Sequence, residues 1–139
     1  MNKIITLPIP VSADLFQLAD MCVDFAAELQ ESTNITKSLA LCGRLSVALK
    51  AVRLACNIDL PPHLTELLTT DELPEPCVPD CWVDSYLIVE YAQSLTEALL
   101  SCTLSSATTK QLTGLLHDII TLMDDYLKQP YLEQKAEID

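Results

Sequence analysis

The sequence predicts an all-α fold, an antiparallel four-helix bundle with one long proline-rich crossover that contains a short helix. Three observations predict it. Apolar residues recur with a helical period over four segments of about 20 residues each. Only two glycines occur, Gly43 and Gly114, and both lie inside those segments, so the positive-φ turns that hairpins need are nearly absent. Five of the eight prolines, Pro61, Pro62, Pro74, Pro76 and Pro79, fall in the single connection between the second and third helical segments.

The first helix is expected over about 13–30, after Ser12 as N-cap and with Asp14 in its first turn, where a carboxylate suits the positive end of the helix dipole. Stepping 100° per residue gathers Gln17, Asp20, Asp24, Glu28 and Glu31 into one narrow polar strip. Leu15, Phe16, Leu18, Cys22, Val23, Phe25, Ala26 and Leu29 cover the rest, so more than half the circumference is expected to be buried. The second helix, about 34–57, starts at Thr33 or Asn34 and stops near Asn57. Leu41, Cys42, Leu45, Ala48, Leu49, Val52 and Cys56 form a broad apolar arc. A second apolar strip, Ala40, Val47, Ala51 and Leu54, lies opposite, with Lys37 and Arg44 on one flank and Lys50 and Arg53 on the other. A helix with two apolar faces needs two neighbours, in its own domain or in a second copy, which makes this strip the candidate surface for a homodimer.

The crossover is read as a short helix over 61–69, since proline is tolerated in a first turn, followed by the extended, stiff run Asp71 to Pro79. The third helix is expected over 80–104, capped by Asp80, with Trp82, Tyr86, Leu87, Ile88, Tyr91, Leu95, Leu99 and Cys102 apolar and only Glu90, Ser94 and Glu97 clearly polar. The fourth, 107–128 after Ser105 and Ser106, places Leu112, Leu115, Leu116, Ile119, Ile120, Leu122, Met123, Tyr126 and Leu127 on one face, and Pro130 stops it. Residues 131–139 are charged enough to be read as a frayed tail.

A chain of 139 residues is the usual size of one domain, so 1–139 is taken as a single helical domain. Half of the residues are hydrophobic and only 5% aromatic, which leaves the interior to aliphatic side chains. The start of the sequence, with Lys3 as its only basic residue and an apolar run cut by Pro8 and Pro10, is too short for a signal peptide, and no run approaches the roughly 18 apolar residues of a membrane span. No membrane association and a cytoplasmic location are therefore expected. Cys22, Cys42, Cys56 and Cys102 sit at apolar positions of helical patterns and read as reduced, small hydrophobes.

Charge is the uneven feature. The formal net charge is −12, yet from Glu31 to Asp59 no acid intervenes, and Lys37, Arg44, Lys50 and Arg53 make the second helix basic. Between Arg53 and Lys110 there is no Lys or Arg, while Asp59, Glu66, Asp71, Glu72, Glu75, Asp80, Asp84, Glu90 and Glu97 all fall there. Direct nucleic-acid binding, which draws on clustered Lys and Arg, is not expected. The acidic stretch suits a basic protein surface, with Asp71, Glu72, Glu75, Asp80, Trp82 and Asp84 as candidate partner-binding residues.

Catalytic and metal-binding patterns are sparse. Cys77 and Cys81 are separated by three residues instead of two, and with Cys56 and His63 they match no standard zinc spacing. Asp80 and Asp84 oppose a thiolate at Cys81. His63 has Glu66 one turn on, a surface pairing, whereas His117 has Thr113, Gly114, Ile120 and Thr121 at helical neighbour spacing and hence no carboxylate to orient it. The pairs Asp20 with Asp24 and Asp124 with Asp125 lie on exposed faces without His partners, unlike di-iron bundles. No phosphate loop, nucleophile elbow or metalloprotease motif occurs. The reading is therefore a non-enzymatic protein–protein interaction module without cofactor or metal, acting as regulator, inhibitor or adaptor. The alternatives are a nucleic-acid-mimicking inhibitor of a host defence complex, of the kind mobile elements use, and a cognate chaperone or immunity protein.

Overall fold

The computed structural model describes Ile9 and residues 13–56, 69–70, 85–128 and 131–132. Its elements are α1 (Leu15–Glu31), α2 (Ile35–Ala55), β1 (Thr69–Thr70), α3 (Ser85–Leu100), α4 (Ser106–Leu127) and β2 (Tyr131–Leu132). Each helix packs on two others: α1 against α2 and α4, and α3 against α2 and α4. The described part is thus four helices packed on one another, with one two-residue parallel pair between β1 and β2.

Three of the four helices start at a polar cap among the described residues, which satisfies backbone N–H groups the helix cannot pair internally. Asp14 is the N-cap of α1, not a first-turn residue: its carboxylate accepts from the Gln17 N–H at 2.8 Å, and Gln17 Oε1 accepts from the Asp14 N–H at 2.9 Å. Ser12, expected as the cap, lies outside the described residues. This reciprocal pair is a capping box, and Asp14→Ala is expected to cost about 1 kcal/mol in urea unfolding, with Asp14→Asn retaining most of it. An alanine variant as stable as the wild type would mean the cap contributes nothing. Asn34 caps α2 by accepting from the Lys37 N–H at 3.1 Å, and Arg53 in the last turn suits the negative end of the dipole. Ser105 caps α4 through the Thr108 N–H at 3.2 Å.

Three expected boundaries are corrected. The third helix ends at Leu100, not Leu104, because Cys102 takes a left-handed φ of 58°, which no α-helix continues through and which costs a residue with a Cβ roughly 1–2 kcal/mol. The Ser101 hydroxyl donates to the Ala98 carbonyl at 2.6 Å and occupies an acceptor that the next turn would have used. Thr69, placed in the short helix 61–69, is extended instead, and Tyr131 and Leu132 are not frayed: they pair with Thr69 and Thr70. The pairing satisfies backbone groups that a frayed tail would leave to water. The remainder of the short helix, the extended run 71–79 and the cap Asp80 lie outside the described residues.

The core draws on all four helices. α1 contributes Leu18, Ala19, Cys22, Phe25, Ala26 and Leu29, and α2 contributes Leu41, Cys42, Leu45, Ala48, Leu49 and Val52. α3 adds Ile88, Val89, Ala92 and Leu99, and α4 adds Leu116, Ile120 and Met123. Ile9 packs against this cluster from outside the helices. Thr96 is the buried polar residue of the described set, and its hydroxyl donates to the Ala92 carbonyl at 2.8 Å, so its burial leaves no unmet donor.

Candidate interaction surface

The second apolar strip of α2 faces away from the other helices. Its core arc lies against α1 on one flank, where Lys37 Nζ is 3.4 Å from Glu28 Oε2, and against α3 on the other, where Arg53 Nη1 donates to Gln93 Oε1 at 3.3 Å. Both neighbours are thereby used, and the opposite side is left to solvent. Val47 is 56% exposed and Leu54 68%, and Ala40 is exposed as well; Ala51, on the α1 flank, is half-buried against the core. Gly43 belongs to the same outward side, and a Cβ built on it meets nothing within 4 Å. A mid-helix glycine costs about 1 kcal/mol relative to alanine, and nothing among the described residues needs the missing methyl.

Three further exposed apolar side chains are not anticipated by the sequence. Leu87, Tyr91 and Leu115, assigned to core-facing positions of their helices, are each 40% exposed or more. An apolar arc on a four-helix bundle is wider than the contact two neighbours can cover, and a helical wheel gives only the arc.

The seam between α1 and α4 gathers the principal charges of the described part. The Lys128 ammonium bonds to Asp20 across the seam and lies 2.7 Å from Asp124 one turn back on its own helix. It also sits 6.0 Å from the Phe16 ring centroid. Asp124 is less exposed than its sequence position suggests. Its Oδ1 is buried, and the Lys128 ammonium is the cation beside it. Burial opposes the Lys128 charge, but hydrogen bonds and attraction from Asp124 and Asp20 outweigh it and raise the lysine pKa. Burial, then Asp20 and Asp124, raise that of Asp24. Asp20 and Asp124 thus join through Lys128, an arrangement in which the i,i+4 half was legible and the long-range half was not.

Arg44, which the spacing places with Lys37 on one flank of the second strip, meets α1. Its guanidinium lies over the Phe25 ring, 5.4 Å from the centroid, and its buried Nε and Nη2 have no hydrogen-bond acceptor. The ring face is the compensation on offer.

His117 Nδ1 has Asp118 Oδ1 at 3.8 Å, a carboxylate from the adjacent residue that helical spacing did not anticipate but that stands beyond hydrogen-bond length. Among the described residues no group of three His, Cys, Asp or Glu could hold a metal ion, and no helix is long and apolar enough to cross a membrane. Of the zinc candidates only Cys56 is described. Asp71, Glu72, Glu75, Asp80, Trp82 and Asp84 all lie outside the described residues, as does His63. Comparison with protein-family models, curated proteins and solved structures finds no match in any of the three.

Proposed function

We propose that this chain is a small acidic, non-enzymatic interaction module that acts as a regulator, inhibitor or adaptor, and that the outward strip of α2 is where a second copy docks. The observation that carries the reading is the strip itself: Val47 and Leu54 spend large apolar side chains on water beside Ala40 and an unobstructed Gly43. Small residues at such spacing let two helix backbones approach closely, and flanking large ones fill the crossing.

The bundle is inferred to run antiparallel with one long crossover through residues 57–84. Contacts across the seams support this direction, because partners descend on one helix as they ascend on the other. Glu28 and Phe25 meet Lys37 and Arg44, and Gln30 and Asp20 meet Gly114 and Lys128. A cytoplasmic location remains part of the proposal.

Light scattering on a sizing column tests the docking. The expected mass is twice the 15.3 kDa of the chain, falling to the single-chain value in Val47→Glu and in Leu54→Glu. A wild type of single-chain mass at every concentration would overturn it.

A second reading, in which the acidic stretch binds a basic protein surface or imitates a nucleic acid toward one, is favoured by the absence of Lys and Arg between Arg53 and Lys110. Changing Asp71, Glu72 and Glu75 to Lys should abolish capture of a basic partner at low salt. Capture unaffected by the three changes would sink it.

A further inference from the structure

The turn after α3 holds a nucleophile that the reading above does not use. Cys102 is the one non-glycine residue of the described set with positive φ, and its side chain is exposed. Cys42 lies in α2, 2% exposed, on the flank of the core arc that α3 covers. The hydrogen bond from Arg53 to Gln93 sets the register of that seam. Eleven residues back along α2 is Cys42, and nine forward from Gln93 is Cys102. At about 1.5 Å of rise per residue Cys42 stands roughly 16 Å along the seam from Arg53, and α3 runs roughly 10 Å from Gln93 to Leu100 with Cys102 in the turn just beyond, which brings the two residues to the same end of the seam. Their charges also couple: burial first, and then Cys102, hold the Cys42 thiol up at about 11.

We propose that Cys102 and Cys42 form a dithiol modification site, which a low-molecular-weight disulfide such as oxidised glutathione converts into an intrachain disulfide. Cys102, as thiolate, attacks one glutathione sulfur; the Cys102–glutathione bond forms, the glutathione disulfide breaks, and one glutathione leaves as thiolate and takes up the Cys102 proton. Cys42 then loses its proton and attacks the Cys102 sulfur, forming the protein disulfide and releasing the second glutathione. Two protein thiols are oxidised and one glutathione disulfide is reduced to two thiols. The order follows from access, since an exposed thiol meets the reagent and a buried neutral one does not. A disulfide needs the two Cα atoms within about 7 Å, and Cys102 sits in the turn between α3 and α4, outside both helices.

The native protein is incubated with oxidised glutathione at mildly alkaline pH, blocked with an alkylating agent and mapped by peptide mass spectrometry without reduction. The expected product is a Cys42–Cys102 linked peptide, lighter by two hydrogens and cleaved by dithiothreitol. Cys42→Ala is expected to stop at a glutathione adduct on Cys102. Cys102→Ser, a change at an exposed position, is expected to leave Cys42 unmodified and unlinked, which keeps the test valid even if the core substitution unfolds the chain. A wild type in which Cys102 stays unreacted, stops at the adduct, or links to Cys56, Cys77, Cys81 or a second chain would overturn the proposal.

Discussion

Phe25→Ala is expected to lower the unfolding free energy by about 3–5 kcal/mol, read from urea denaturation followed by circular dichroism. Phe25 is the fully buried aromatic of the described core, so its loss opens the largest single cavity that one substitution there can make. It also removes the ring face under Arg44, whose buried Nε and Nη2 have no other compensation, which pushes the effect toward the upper end. Phe25→Leu, which keeps most of the volume and loses the ring, separates the two contributions. Arg44→Met is expected to be close to neutral or stabilising, because it keeps an apolar stem over Phe25 and discards two unmet donors. A large destabilisation by Arg44→Met, or a loss below 1 kcal/mol on Phe25→Ala, would refute this account of the α1–α2 seam.

The second large effect is alkaline unfolding. Burial, followed by the charge of Asp124, pushes the Cys22 thiol up to about 12, and Cys42 is held at about 11, against an ordinary value near 9. The unfolded chain therefore releases these two protons from about pH 9, while the folded chain holds them. The folded state then binds more protons than the unfolded one, and stability falls as pH rises, by about 1.4 kcal/mol per pH unit for each thiol. Between pH 8 and pH 11 the two thiols together remove roughly 5 kcal/mol, comparable with the whole stability of many domains. Lys128 acts in the same direction higher up: its raised pKa contributes stability below the unfolded value of about 10.5, lost as pH climbs through the folded one. Urea melts across this range are expected to show the decline, and Cys22→Ala should remove about half of it. An unchanged decline in Cys22→Ala would show that the buried thiol is not its source.

Much of the architecture was legible because the helical period is strong. The arc of α2 from Leu41 to Val52 is buried as its spacing requires, and the polar strip of α1 is outward. The misses have specific causes. Leu100 ends α3 because Cys102 turns left-handed, and no glycine marks the spot. Asp14 and Gln17 carry a cap-and-return pattern three residues apart, which competes in the sequence with Ser12 as a second cap candidate two residues earlier. Asp20 and Lys128 stand far apart in the chain, and no local periodicity relates them. Leu87, Tyr91 and Leu115 belong to apolar faces broader than their contacts, a width that depends on neighbours the wheel does not contain. Of the candidate site, the α2 strip was visible for the same reason as the core, and the open space around Gly43 needed coordinates.

The arrangement of the four helices also bears on the order in which the chain assembles. Turns of three and five residues join α1 to α2 and α3 to α4, so those two pairs gain their contacts after short searches. The seam held by Lys128 and Asp20 joins positions 108 residues apart. Loop-closure entropy grows only with the logarithm of length, so closing that seam instead of a five-residue turn adds about 3 kcal/mol. Two preformed helix pairs that then dock spread this penalty over an entire apolar face, which places the late, rate-setting encounter between the halves of the chain and not within either one.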